Sequence, residues 1–200
     1  MPRLNLTEAE TRTLILDEAD RLFTEIGYDK TTIADIARAC GFSSANVHRV
    51  LGTKGVINRA IAERKLAGKI EHLREAVEAV EGAPMRLRAL YATVKQINQE
   101  TFIEHKRVHQ MVAAAIDERW EEVQRYRSRL KALSREIIAY GVERGEFNVP
   151  DVDKAASAVH SSGVRFCHPL LCAEMEGEPD DTDVDVWLEF VLRGLGQRVS

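Results

Sequence analysis

The sequence predicts an all-α protein of about nine helices, and three observations lead there. Apolar residues recur at three- and four-residue steps along most of the 200 residues, the period of one helix face. No run alternates apolar and polar residues in the manner of a strand. Thr, Ser or Asp precedes the periodic segments and Gly often follows them, which is the punctuation of capped helices.

Each element has its own signal. Thr7 and Glu10 pair as a capping box ahead of Ile15, Ala19, Leu22, Phe23 and Ile26, and Gly27 ends this first helix. Ile33, Ile36, Ala37 and Cys40 mark a short second helix, capped by Thr31 or Thr32 and stopped by Gly41. Ser43 or Ser44 caps a third, which runs to about Leu51 with Val47 and Val50 inward. Thr53 opens a long fourth helix through Leu66, Ile70, Leu73, Val77 and Val80, until Gly82-Ala83-Pro84 breaks it. Leu87, Leu90, Tyr91, Val94, Ile97 and Thr101 make the next stripe, and Val108 to Ile116 a short apolar segment. Val123, Tyr126, Leu130, Leu133, Ile137 and Tyr140 form a long stripe ending near Gly145. Asp151 caps a helix carrying Ala155, Val159, Gly163 and Phe166, with His168-Pro169 as its end or kink. Val184, Trp187, Val191 and Leu195 form the last helix.

Composition narrows the function classes. The chain carries 28 Lys and Arg against 32 Asp and Glu, a net charge of −4, with 44% hydrophobic and 30% charged residues. That is a globular balance with enough apolar content for a core. No stretch approaches the ~18 apolar residues of a membrane helix, so no membrane partner is expected. The opening MPRLNLTEAE lacks the apolar region of a secretory signal. Cys40, Cys167 and Cys172 are sparse and odd in number, which argues against a disulfide framework and fits a reducing cytosol. Residues 174–189 hold eight acidic and no basic residues and read as a solvated loop. They lack the spaced ligands and turn glycine of a calcium loop.

Residues 32–51, TIADIARACGFSSANVHRVL, have the grammar of a helix-turn-helix. A short amphipathic helix is followed by the turn residue Gly41, by Phe42 as a core plug, and by a second short helix with polar residues outward. In such a unit the second helix enters the major groove with its N-terminal residues against base edges. The outward set is Ser43, Ser44, Asn46, His48 and Arg49. Asn can bond an adenine edge at two points, Arg can bond guanine or phosphate, and Ser can bond either base or phosphate. Local charge supports DNA as the partner: residues 30–74 carry nine Lys or Arg against Asp35, Glu63 and Glu71, a local +6, and the remainder sums to −10. Phosphate neutralisation is a local property, so the whole-chain −4 does not oppose it.

The run ILDEADRLFTEIGYDKTTIADIARACGFSSANVHRVLGTKGVI resembles the DNA-binding domain of the TetR (tetracycline-repressor) family of bacterial transcriptional regulators. The first-helix pattern, the Gly27-Tyr28-x-x-Thr31-Thr32 approach, Ile36-Ala37, Gly41 and Lys54 fall in register. His48 stands where tyrosine is usual, Leu51 where an aromatic residue is usual, and Gly52 where proline is common. The resemblance implies that Thr32 caps the second helix and touches a phosphate, that Ser43, Ser44, Ala45, Asn46 and Arg49 face the groove, and that Lys54 binds phosphate; His48 can donate to a phosphate. It divides the chain into a DNA-binding domain over 9–69 and a helical ligand-binding and dimerisation domain over 70–200.

The resemblance further implies a homodimer through the last two helices, on double-stranded DNA whose half-sites lie about one turn apart (~34–36 Å). Ala155, Val159 and Gly163, with Val184, Trp187, Phe190, Val191 and Leu195, are the expected interface. It places a pocket among the middle helices, with Tyr91, Phe102, His109, Met111, Trp120, Tyr126, His160 and Phe166 as candidate lining for a hydrophobic small-molecule effector. No cofactor is expected, and no metal. His105 and His109 at i, i+4, or Cys167, His168 and Cys172, could meet a metal or sense redox state, yet neither group has the paired spacing of a built site. The expected function is a cytoplasmic, nucleoid-associated repressor released from a palindromic operator by a small molecule, and not an enzyme. The alternatives are a helical metal-dependent enzyme or an interaction module that has lost DNA binding.

Overall fold

A computed structural model describes residues 6–104, 120–168, 171 and 183–196. They form nine helices and no strand: α1 (Glu8–Glu25), α2 (Ile33–Cys40), α3 (Ser44–Leu51), α4 (Lys54–Glu78), α5 (Ala83–Glu104), α6 (Glu121–Glu143), α7 (Val152–Ser162), α8 (Val164–Cys167) and α9 (Val184–Gly194). The all-α expectation holds. The chain divides into two compact units, 1–66 and 67–200, with the division inside α4.

The smaller unit is held by capped short helices over a common core. The predicted capping box at Thr7 and Glu10 is present, with Glu10 held below the ordinary carboxylate pKa by its bonds to Thr7. Thr32, not Thr31, caps α2, and Ser43, not Ser44, caps α3. Thr31 is buried instead, and its hydroxyl donates to Gly27 O at 2.8 Å. Gly41 takes φ +71°, a left-handed conformation that side chains resist, and its N–H reaches back to the end of α2. Ile15, Ala19 and Phe23 of α1, Ile36 and Ala37 of α2, Val47 and Leu51 of α3, and Ile57 and Ile61 of α4 are buried. Val50, expected inward, is only half-buried, and Leu51 takes the inner position.

The larger unit packs α5 against α6, α8 and α9, and α6 against α7. Its core joins Leu87, Leu90, Tyr91 and Val94 of α5 to Leu130, Leu133, Ile137 and Ile138 of α6, with Val184, Leu188, Val191 and Leu192 of α9. The helix expected from Asp151 through Phe166 is two helices, because the chain turns at Gly163. A Cβ there would lie 2.7 Å from the Trp187 ring, so the close approach of α9 requires glycine.

Candidate nucleic-acid interface and regulatory body

The face of α3 is built from its cap outward. Ser43 Oγ accepts the Asn46 N–H at 3.2 Å, which fixes the first turn. Val47 and Leu51 then anchor the helix in the core, which leaves Ser43, Ser44, Ala45, His48 and Arg49 exposed and Asn46 half-buried. The structure thus brings the predicted groove-facing residues onto one exposed surface. Arg49 Nη2 donates to Asn46 Oδ1 at 3.0 Å, a pairing not evident from spacing alone.

Two expected phosphate ligands have prior engagements. The Thr32 hydroxyl donates to Asp35 Oδ2 at 2.6 Å while its oxygen accepts the Asp35 N–H at 3.2 Å. Its only proton is therefore used within the capping box, beside a carboxylate whose pKa these bonds lower. Lys54 Nζ donates to Tyr28 O at 2.9 Å and Thr31 O at 3.1 Å, and stands 4.3 Å from the centre of the Tyr28 ring. That ring in turn meets Phe23 edge-on at 5.1 Å. Two of the three ammonium protons thus tie the turn before α2 to the start of α4. The sequence pattern contains Tyr28 but assigns it no role. The signal available was the Gly27-Tyr28-x-x-Thr31-Thr32 approach itself, a turn that needs a donor for its carbonyls.

The larger unit divides the expected interface residues. Val159, Gly163, Val184, Val191 and Leu195, expected at a partner, are buried within this chain. The reason is the wide apolar face of α9: one side of it covers α5. Trp187 belongs to that inner side, with ring-centre distances of 4.7 Å to Tyr91 and 5.2 Å to Phe166, and its Nε1 donates to Ser162 Oγ at 3.3 Å. Phe190 and Val186, one turn apart on α9, are 75% and 60% exposed. Ala155 is half-buried.

Of the expected pocket lining, Tyr91 and Phe166 come together around Trp187, while Trp120 is buried beside the start of α6. Burial pushes the hydroxyl pKa of Tyr91 and of Tyr126 up, and the nearby Cys167 adds to this in both. Tyr91 Oη and Ser134 Oγ lie 3.1 Å apart, and Asn98 Nδ2 donates to Phe166 O at 3.0 Å. Ser134 and Asn98 are buried polar residues that periodicity passed over. His160 is half-buried with a lowered pKa, from burial first and then from Arg127 and Lys131. The Phe102 side chain, His105, His109, Met111 and Cys172, with the acidic run over 174–182, lie outside the described residues. Among the described residues no group of three His, Cys, Asp or Glu could hold a metal, and no helix is long and apolar enough to cross a membrane.

Residues 15–57 match the family described as bacterial regulatory proteins, tetR family, and residues 83–187 match the tetracyclin repressor-like C-terminal domain. The second match alone spans more than half of the chain. The chain belongs to the TetR family. This TetR-family transcriptional regulator is similar to the Bacillus subtilis (strain 168) protein described as the uncharacterized HTH-type transcriptional regulator YezE. The identity is 23% over 182 residues, covering 86% of this chain and 93% of that one. Among solved structures it is similar to PfmR, a TetR family transcriptional regulator from Thermus thermophilus, at 29% identity and a TM-score of 0.53. That likeness covers 90% of this chain and 98% of PfmR. The fold is also that of RolR, solved in complex with resorcinol, at 18% identity and a TM-score of 0.59, over 96% of this chain and 90% of RolR.

Proposed function

We propose that this TetR-family regulator is a homodimeric repressor that reads a palindromic operator and releases it when a hydrophobic small molecule binds the larger unit. The observation that carries the reading is the exposed, acid-free face of α3, capped by Ser43 and seated by Val47 and Leu51. Ser43, Ser44, Ala45, Asn46, His48 and Arg49 are the groove-facing residues. Thr32 and Lys54 position that face by holding α2 and its preceding turn.

Phe190 and Val186 support the dimer. An exposed Phe and Val one turn apart on the last helix are the kind of apolar anchor that a second copy covers. The aromatic cluster of Tyr91, Phe166 and Trp187 in the larger unit supports an effector site of apolar character. Release then follows from differential affinity: an effector that prefers the form with weaker DNA binding lowers operator affinity by that difference.

The test is selection of bound duplexes from random DNA by the full chain, followed by salt titration and an effector screen. A pseudo-palindrome with steeply salt-dependent affinity, lost on adding the effector, is the expected result. An absence of any selected sequence at low salt overturns the DNA-reading function. An effector that binds and leaves operator affinity unchanged is not the inducer.

A further inference from the structure

Asn46 and Arg49 stand one turn apart on α3, and their side chains are joined by the 3.0 Å bond from Arg49 Nη2 to Asn46 Oδ1. A guanidinium carries only donors, so the amide end that meets it is the oxygen. That occupies one of the two lone pairs of Oδ1 and holds this end of the amide against the guanidinium, which leaves Nδ2, with its two hydrogens, as the end presented to a base. Reading adenine uses both ends of an Asn amide, the oxygen accepting from N6 and the nitrogen donating to N7. Reading guanine uses donors alone, toward O6 and N7.

We propose that Asn46 and Arg49 act as one unit, with Oδ1 held by the guanidinium and donors presented to the base, that selects guanine, rather than adenine, at a position of each half-site. The helix presents them together. The Asn46 N–H is held by Ser43, and Val47 is fully buried beneath, so the outer face of the first turn is fixed. An i, i+3 pair has Cβ atoms roughly 5–6 Å apart, which keeps both side chains over the same or adjacent base pairs. α3 contains no carboxylate that could draw the guanidinium away or accept from a cytosine amino group. The inference rests on the DNA-reading function proposed above and adds the chemistry of the base that is read.

The full-length chain is taken through selection from random duplexes. Affinity is then measured on the selected operator with the guanine replaced by adenine or by 7-deazaguanine, which lacks the N7 acceptor. Guanine is expected at one position per half-site, with a loss of about 5- to 150-fold on replacement by adenine and a smaller loss with the deaza base. Arg49→Ala frees Asn46 Oδ1, and preference at that position is expected to move toward adenine. Asn46→Ala is expected to relax it. Adenine at that position in the wild type, or an unchanged guanine preference in Arg49→Ala selected by a normally folded dimer, overturns the inference. If the wild type selects no sequence at all, the DNA-reading function fails first, and the inference fails with it.

Discussion

Replacing Lys54 by Met keeps the aliphatic stem and removes the ammonium, which separates two roles that the sequence alone merges. The ammonium makes two hydrogen bonds to backbone carbonyls and one contact with the Tyr28 ring. Bonds to a charged group contribute ~1.5–3 kcal/mol each, and a cation over an exposed ring ~0.5–1 kcal/mol. Their sum, roughly 3.5–7 kcal/mol, is an upper bound. Lys54 is half-buried, so water can replace it at both carbonyls, and a loss of about 2 kcal/mol is expected. In a domain of this size that corresponds to a fall of roughly 8–16 °C in melting temperature. The assay is thermal unfolding of the full chain by circular dichroism, with tryptophan fluorescence beside it. Both tryptophans, Trp120 and Trp187, lie in the larger unit, so their signal reports on that unit alone. An early circular-dichroism phase should shift while the fluorescence transition stays in place. The slope of log affinity against log salt should be nearly unchanged. A Lys54→Met variant that melts like the wild type, with a slope reduced by ~0.9, would refute the tether and restore a direct phosphate contact.

Three further outcomes follow from the larger unit. Gly163→Ala drives a methyl group into the Trp187 ring and should cost about 1–3 kcal/mol; a urea midpoint equal to wild type, followed by tryptophan fluorescence, would contradict the packing. If the proposed homodimer forms through α9, Phe190→Asp should sediment as a monomer where the unaltered chain sediments as a dimer, and an intact variant dimer would remove α9 from the proposed interface. His160 Nδ1 is buried with no hydrogen-bond partner among the described residues, and the folded pKa lies below the ordinary value. Its contribution is therefore fully present above about pH 6.5 and is lost as pH falls through the lowered folded pKa. His160→Gln should flatten the acid side of the stability profile, and an identical profile in the variant would exclude this histidine as the cause.

Much of the fold was legible because capped helices write their boundaries locally. Thr7 with Glu10, Ser43, and Asp151 each fix a helix start through bonds to residues at most three positions away. Gly41 marks a stop for a reason internal to its own backbone. The break at Gly163 was not legible in the same way. The glycine at that position answers to Trp187, 24 positions along the chain, whose ring occupies the space a side chain would need. The same contact explains why α9 buries one side of its apolar face within its own chain. A helix with apolar residues on two sides, such as Trp187 and Val191 against Val186 and Phe190, does not declare which side its own chain will cover. The side-chain bonds of the smaller unit were hidden for another reason. Arg49 to Asn46, within α3, and Lys54 to the turn at Tyr28 are choices among many partners within reach, which residue type alone does not decide.

The charge sum that points to DNA as the proposed partner is incomplete. The window over 30–74 gives +6, yet residues 1–66, the unit that folds together, hold ten Lys or Arg against nine Asp or Glu, a net of only +1. One of the five charges of difference comes from residues 67–74, which lie outside the smaller unit, and the other four come from α1, whose carboxylates lie outside the window. They are not a repulsive surface opposed to DNA, because several are already answered: Asp17 holds Arg64 at 2.6 Å, Asp20 holds Lys65 at 2.7 Å, and Glu18 and Glu25 flank Arg21 at 2.8 and 2.7 Å. Two cations counted toward DNA are thereby matched by two anions counted against it, and both drop out of the field at short range. Arg38 is matched in the same way by Asp35 at 3.2 Å. Arg49 differs, because its partner is the neutral amide of Asn46, which orients the guanidinium and leaves its charge whole. The positive charge on the exposed face of α3 is thus that of Arg49, on a helix with no carboxylate, while the neighbouring helices cancel part of their own charge.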